Sequence, residues 1–176
     1  MIFRDEGYYF FRMYNTDVIE NIRGQIVLRG QTLSVAESVT SGHIQAALSL
    51  ATEASRFFQG GLTAYNLGQK ARHLYVNPIH AISCNSVSEV IADEMALNAL
   101  RLFSSDWSIG ITGYASPLPE LGIKKLYAFY AIAFRSSVVR RGEIESGEGA
   151  ALQVQVFYTN HVLGELDRSL REQAGH

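Results

Sequence analysis

Leu33-Ser34-Val35-Ala36-Glu37-Ser38-Val39-Thr40-Ser41-Gly42-His43-Ile44-Gln45-Ala46-Ala47-Leu48-Ser49-Leu50 is the stretch whose reading decides the fold. Its opening, roughly 32–36, reads as a short strand. Residues 37–42 carry the hydroxyls of Ser38, Thr40 and Ser41 and end in glycine, which marks a loop. Residues 44–50 are rich in Ala and Leu, a composition suited to a helix packed closely on a sheet. A strand, a loop and a helix in that order form the unit from which alternating α/β domains are built.

The flanking sequence extends the pattern. Before it, Asp17 is placed to cap a helix with Val18, Ile19, Ile22 and Ile26 on one face, and Gly30 stands where a left-handed residue would end it. After it, Gly60-Gly61 leads into an expected strand over 62–65, followed by a short helix over 69–75. Ser86 and Glu89 stand at capping-box spacing, and Val87, Val90, Ile91, Met95, Leu97, Leu100 and Phe103 recur at helical intervals to about residue 103. Residues 107–112 alternate as a strand that ends at Gly113, and 126–134 suit a buried strand. A last helix is expected over about 150–170. The sequence thus predicts an α/β protein, a single three-layer α/β/α domain over 15–176 with a central mixed or mostly parallel sheet. It is preceded by an aromatic arm over 1–14, in which Tyr8, Tyr9, Phe10 and Phe11 need a surface on the same domain or on a second subunit.

Composition narrows the function classes. The 176 residues are 47% apolar and 18% charged, which fits one globular domain and excludes a disordered or fibrous chain. Lys and Arg total 15 against 17 Asp and Glu, a formal net charge of -2. No global field draws in nucleic acid or an anionic membrane, so neither is an expected partner. No run approaches the ~20 apolar residues of a spanning helix, and the first residues do not resemble a cleaved leader. Cys84 is the single cysteine, which excludes an intramolecular disulfide and a cysteine-based zinc cluster and points to a reducing cytoplasm. The histidines make no H-x-x-x-H pair, and Asp93-Glu94 reads as a solvated face, so no metal site is expected.

In α/β folds the site lies beyond the C-terminal ends of the strands. Three loops qualify: 38–42, the segment after Tyr65, and 112–117, which starts with Thr112 and Gly113. In the first, Thr40, Ser41 and Gly42 open a helix whose unpaired N–H groups could hold a phosphate or an oxyanion; equally, Thr40 or Ser41 could simply cap that helix. No Walker loop is present. Ser38 is a candidate nucleophile if a base lies near it. His43 sits at the helix start, and His73, His80 and His161 have no triad context. Lys70 is the alternative base, because a buried lysine gives up its proton near neutral pH, although a lysine at a helix start is commonly just solvated. Arg140-Arg141 is a small basic point that could meet a phosphate or lie on the surface.

These residues resemble a family. Leu33 to Gly42 is similar to the A-E-S-C-T-G-G signature of the CinA C-terminal domain, whose active members are nicotinamide mononucleotide deamidases. Phe58-Gln59-Gly60-Gly61-Leu62-Thr63-Ala64-Tyr65-Asn66 through Lys70 resembles its F-x-G-G-x-x-x-Y-S-x-x-x-K block. Val87-Ser88-Glu89-Val90-Ile91-Ala92 with Met95-Ala96 resembles its V-S-E-x-V-A-x-x-M-A helix, and Thr112-Gly113-Tyr114-Ala115-Ser116-Pro117 its T-G-I-A-G-P turn. The resemblance implies hydrolysis of a linear carboxamide to an acid and ammonia. Ser38 would be the nucleophile and Lys70 its activator; Tyr65, Thr40 and Thr112 would line the site. It also implies a nucleotide-like small-molecule substrate, no cofactor and a homo-oligomer. The chain departs from the family between Pro117 and Tyr127, where Gly-Gly and Pro-Val-Gly are missing and Pro119 and Glu120 stand instead. It also departs in the arginine-bearing stretch near the C-terminus, of which Arg140-Arg141-Gly142-Glu143 reads as the remnant. The departures motivate a second expectation, a catalytically silent domain that binds a ligand or protein partner.

Overall fold

The computed structural model describes residues 13–173. The Tyr and Phe cluster of the arm lies outside the described residues. At the arm's inner end, Met13 packs against the core and Tyr14 is buried in it. The Tyr14 hydroxyl shares a 2.6 Å hydrogen bond with Nδ1 of His43.

Helix α1 (Thr16–Leu28) is capped by Asn15, whose side chain accepts from the Val18 amide. Asp17 therefore lies in the first turn, favourably placed for the helix dipole, and Gly30 takes the left-handed conformation after the helix with φ +61°. Strand β1 (Leu33–Glu37) is buried throughout. It pairs in parallel with β2 (Phe58–Thr63) on one side and β3 (Trp107–Gly113) on the other. Beyond β3, β4 (Leu126–Phe134) and β5 (Ser137–Ser146) add antiparallel, giving a five-stranded mixed sheet in the order β2-β1-β3-β4-β5. The connecting helices are α2 (His43–Ser49), α3 (Leu67–Leu74), α4 (Pro78–Ser83), α5 (Glu89–Phe103) and α6 (Ala151–Gln173).

The two faces of the sheet are packed differently. On one, Leu33, Val35, Trp107, Ile109 and Ile132 meet the isoleucines of α1, Ile44 and Leu48 of α2, and Tyr158, Val162 and Leu166 of α6. On the other, small strand residues face α5: Ala131 and Ala133 meet Ala92 and Ala96. The Ser108 hydroxyl donates to the Ala96 carbonyl at 2.6 Å. A Cβ on Gly110 would lie 2.4 Å from the Ala92 carbonyl oxygen, so that position admits no side chain. Helices α3 and α4 complete this layer through Leu74 and Ala81. The architecture is the expected α/β/α sandwich.

Several boundaries differ from the sequence reading. Strand β2 starts at Phe58, not 62, because Gly60 and Gly61 pair with Ser34 and Val35 within the sheet instead of forming a turn. The α5 cap is Ser88, which accepts from the Ile91 amide, and not Ser86. Helix α4 and strand β5 are additions to the expected elements. Asn77 caps α4 and Pro78 opens it. Along β5 most residues are exposed or half-buried, so its composition carries little apolar alternation.

Candidate active site at the strand ends

A cavity of about 600 Å³ opens beyond the C-terminal ends of β1, β2 and β3, with Ser38, Tyr65, Lys70, Asn85, Thr112 and Gly113 in its wall. Ser38 directly follows β1. Asn66, which follows Tyr65, caps α3 by accepting from the Gln69 amide, and this fixes the helix so that Lys70 points back toward β1. Both side chains are nearly fully buried, Ser38 at 5% and Lys70 at 3% exposure. Lys70 Nζ donates to Ser38 Oγ at 2.8 Å. Burial lowers the Lys70 ammonium from 10.5 to about 8, against a smaller opposing influence from the Cys84 sulfur. In the amine form the bond reverses, and the serine hydroxyl donates to nitrogen. A serine within reach of such an amine is arranged for proton transfer from oxygen to nitrogen.

Of the other sequence candidates, Tyr65 is exposed at the rim. Thr112 is in the wall, with its hydroxyl donated to the Ser86 carbonyl at 2.8 Å. Gly113 is also in the wall, and a Cβ there would sit 2.4 Å from the Tyr127 carbonyl oxygen of β4. Thr40, Ser41 and Gly42 fall outside the cavity wall. Thr40 is fully buried, and its hydroxyl donates to Glu37 at 2.6 Å. Ser41 is exposed with φ +50°, and its hydroxyl accepts from Gln155 at 3.4 Å.

The unpaired helix donors expected at 38–42 are therefore a correction. The amides of Gly42, Ile44 and Gln45 donate to the Glu37 carboxylate at 3.1, 3.1 and 2.9 Å, so the head of α2 is already occupied by an anion belonging to the chain. The Val39 and Thr40 amides donate to no protein acceptor among the described residues, and Val39 is in the cavity wall beside Ser38.

Sequence reasoning missed two features of the site. Glu37 reads there only as part of the loop, although a lone carboxylate at the end of an apolar strand and ahead of a helix is a capping signal. Asn85 and Ser86, both in the wall, adopt φ +49° and +59°. Asn is among the residues that tolerate this region, but nothing in the sequence marks two such residues in succession. Here Thr112 holds the Ser86 carbonyl, and Asn85 donates to the Tyr114 hydroxyl at 3.1 Å.

The arginine pair faces away from the cavity. Arg140 is bound to Glu165, Glu172 and Ser169 of α6, and Arg141 to Glu89 and Asp93 of α5. In the departing loop, Pro119–Leu121 form a single helical turn closed by reciprocal backbone bonds between Leu118 and Ile123. Leu118 reaches the cavity wall, while Pro119 and Glu120 are not part of it. Among the described residues no helix is long and apolar enough to cross a membrane, and no group of three or more His, Cys, Asp or Glu side chains is arranged to hold a metal.

The CinA C-terminal domain profile matches residues 15–156. A CinA-like protein of Prochlorococcus marinus is 44% identical over 99 residues, covering 56% of this chain and 23% of the relative. One from a Picosynechococcus species is 44% identical over 98 residues with the same coverage. The match thus spans about a quarter of the length of these relatives. Among solved structures, a CinA superfamily protein from Klebsiella pneumoniae superimposes with a TM-score of 0.83 at 26% identity, covering 90% of this chain and 99% of that one. Another from Enterobacter cloacae gives 0.82 at 26% identity, covering 88% and 91%. The profile spans the sheet, the cavity and the serine–lysine pair together, and the chain belongs to the CinA C-terminal domain family.

Proposed function

We propose that the protein is an amidohydrolase that cleaves the carboxamide of nicotinamide mononucleotide or a related pyridine amide, with Ser38 as nucleophile and Lys70 as its base. The observation that carries this reading is the 2.8 Å contact between a buried lysine of lowered pKa and a buried serine at the floor of a cavity. An amide is a weak electrophile, so its hydrolysis calls for a positioned nucleophile, a base and donors to the oxyanion.

In the proposed sequence Ser38 Oγ attacks the carboxamide carbon while its proton passes to Lys70 Nζ. The tetrahedral intermediate collapses as Lys70 returns that proton to the departing nitrogen, and ammonia leaves. Water then attacks the acyl-serine, giving a proton to Lys70, and Ser38 departs reprotonated with release of the acid. In this reading the Val39 amide, which donates to no protein acceptor among the described residues, donates to the oxyanion. Tyr65 and Tyr114 offer aromatic faces to a pyridine ring.

The test is ammonia release by the purified protein from nicotinamide mononucleotide, nicotinamide riboside and simple pyridine carboxamides, with Ser38→Ala as control. Release that Ser38→Ala abolishes supports the reading; release no greater than that of the variant, at high protein concentration and across all these amides, overturns it. One observation favours a second reading, binding without turnover: among the described residues Lys70 is the one cation in the cavity wall. Ligand-dependent thermal stabilisation without ammonia release would select that alternative.

A further inference from the structure

Glu37 is fully buried, and among the described residues no cation is bound to it. Its carboxylate accepts from the Thr40 hydroxyl and from the Gly42, Ile44 and Gln45 amides, so one side chain ties the end of β1 to the turn and to the head of α2. Ser38 is the next residue. The turn closes with the Ser41 amide donating to the Ser38 carbonyl and the His43 amide to the Thr40 carbonyl, and it contains left-handed Ser41 and Gly42 at φ +50° and +97°. A non-glycine residue in that region holds only where its surroundings over-determine it.

We infer that Glu37 is a positioning residue, whose four hydrogen bonds lock the 38–42 turn so that the Ser38 hydroxyl stays on Lys70 Nζ. The inference rests on the serine–lysine reading above and extends it to a residue that touches neither reacting atom. The geometry separates this role from a general stabilising one. Oε2 takes Thr40, Gly42 and Ile44, while Oε1 takes Gln45 alone. A carboxamide at this position can accept through one atom only, and its amino group would confront an N–H donor. Glu37→Gln thus keeps the volume but cannot hold both ends of the clamp: an oxygen on Thr40, Gly42 and Ile44 sets the amino group against the Gln45 N–H, and the opposite flip releases the turn. Thr40→Val removes the shortest of the four bonds and leaves the carboxylate in place.

The experiment measures the rate at which an alkyl fluorophosphonate phosphonylates Ser38 in the intact folded protein, followed by mass spectrometry over pH 6 to 10. The probe reads the nucleophile without knowledge of the substrate. Wild-type labelling should be Lys70-dependent, with a midpoint near the Lys70 value of about 8. Glu37→Gln should label about tenfold to a hundredfold more slowly, the scale on which ~1 Å of misplacement acts on a reacting pair. Its midpoint should stay near that value, because burial and not Glu37 sets it. Thr40→Val should label more slowly by a smaller factor. A purely structural Glu37 would lower the melting temperature of the variant and leave the labelling rate of the folded fraction unchanged, and that result overturns the inference. If Glu37→Gln does not fold, Thr40→Val decides: a wild-type labelling rate in that variant overturns the inference. A wild-type protein that the probe does not label, or that labels equally fast as Lys70→Met, refutes the serine–lysine reading itself.

Discussion

Replacing Lys70 by methionine should make the protein more stable near neutral pH while destroying the proposed chemistry. Lys70 is 3% exposed, and burial lowers its pKa from 10.5 to about 8. Proton counting gives the sign. Below about pH 8 both folded and unfolded chains carry the proton, and the full cost of burying a cation is present. Between about 8 and 10.5 the unfolded chain binds more proton than the folded one, so stability rises with pH and the cost is returned. Above that window neither form is charged. The shift corresponds to roughly 3 kcal/mol. Methionine keeps an unbranched apolar stem and removes the charge, at the loss of the bond to Ser38, about 1 kcal/mol. The variant should therefore be more stable by about 2 kcal/mol at pH 6.5, or about 4–8 °C in Tm for a domain of this size. The difference should shrink through the window and reverse sign above it. Urea unfolding followed by the fluorescence of Trp107, the single tryptophan and fully buried, measures both forms at pH 6.5, 7.5, 8.5 and 9.5. A variant no more stable than wild type at pH 6.5, or a difference that does not change with pH, refutes the buried-cation argument.

Ammonia release should rise with pH and level off above about 8, about tenfold higher there than at pH 7, as the Lys70 amine becomes populated; a flat profile in steady-state assays counts against Lys70 as base. Thr112→Val leaves the buried Ser86 carbonyl without its donor and should cost about 1–3 kcal/mol in urea unfolding. Gly110→Ala puts a methyl group into the backbone of α5 and should cost roughly 1–3 kcal/mol or more by the same measurement. Arg140→Ala breaks contacts to Glu165 and Glu172 outside the cavity. With Arg140 and Glu165 only 21% and 12% exposed, it should cost about 1–3 kcal/mol and leave turnover unchanged; a loss of turnover in this variant would place Arg140 in substrate binding.

What the sequence makes legible follows from which forces are local. The hydrophobic period of α5 and the uninterrupted apolar run of β4 report burial directly; β4 lies where the sequence places it, and α5 starts two residues later than expected and ends at the expected Phe103. Strand β5 leaves little trace in the sequence because an edge strand with a single buried residue needs little beyond backbone pairing to β4. Gly60 and Gly61 suggest a turn by composition. In the fold they pair with β1, and Gly61 lies close under the Gln45 side chain, so the reason for a glycine there is tertiary contact and not local conformation. At the site, the reactive types Ser38 and Lys70 can be picked out by their chemistry, but their 2.8 Å approach depends on where α3 lies against β1. The same limit applies to the loop donors. Local reasoning leaves the N–H groups of α2 open to a ligand, and only the fold shows that Glu37 takes them.

The strand order explains why the site forms where it does. From β1 the chain moves outward to β2 through α2, then crosses α3, α4 and α5 to reach β3 on the opposite side of β1. The first connection leaves the C-terminal end of β1 over one face of the sheet, the second leaves the C-terminal end of β2 and returns across the other face, and such a reversal opens a crevice that packing does not fill. Ser38 comes from β1, Tyr65 and Lys70 follow β2, and Thr112 and Gly113 end β3, so each contribution arrives on a different loop at one point. A crevice of this kind exposes the head of α2 as an anion site by default. With Glu37 holding that head, the positive end of the helix fixes the turn that carries Ser38, and in the proposed mechanism the proton chemistry falls to a single buried lysine whose charge the fold makes costly. The same burial that weakens the folded state below pH 8 is what would supply the proposed base near physiological pH.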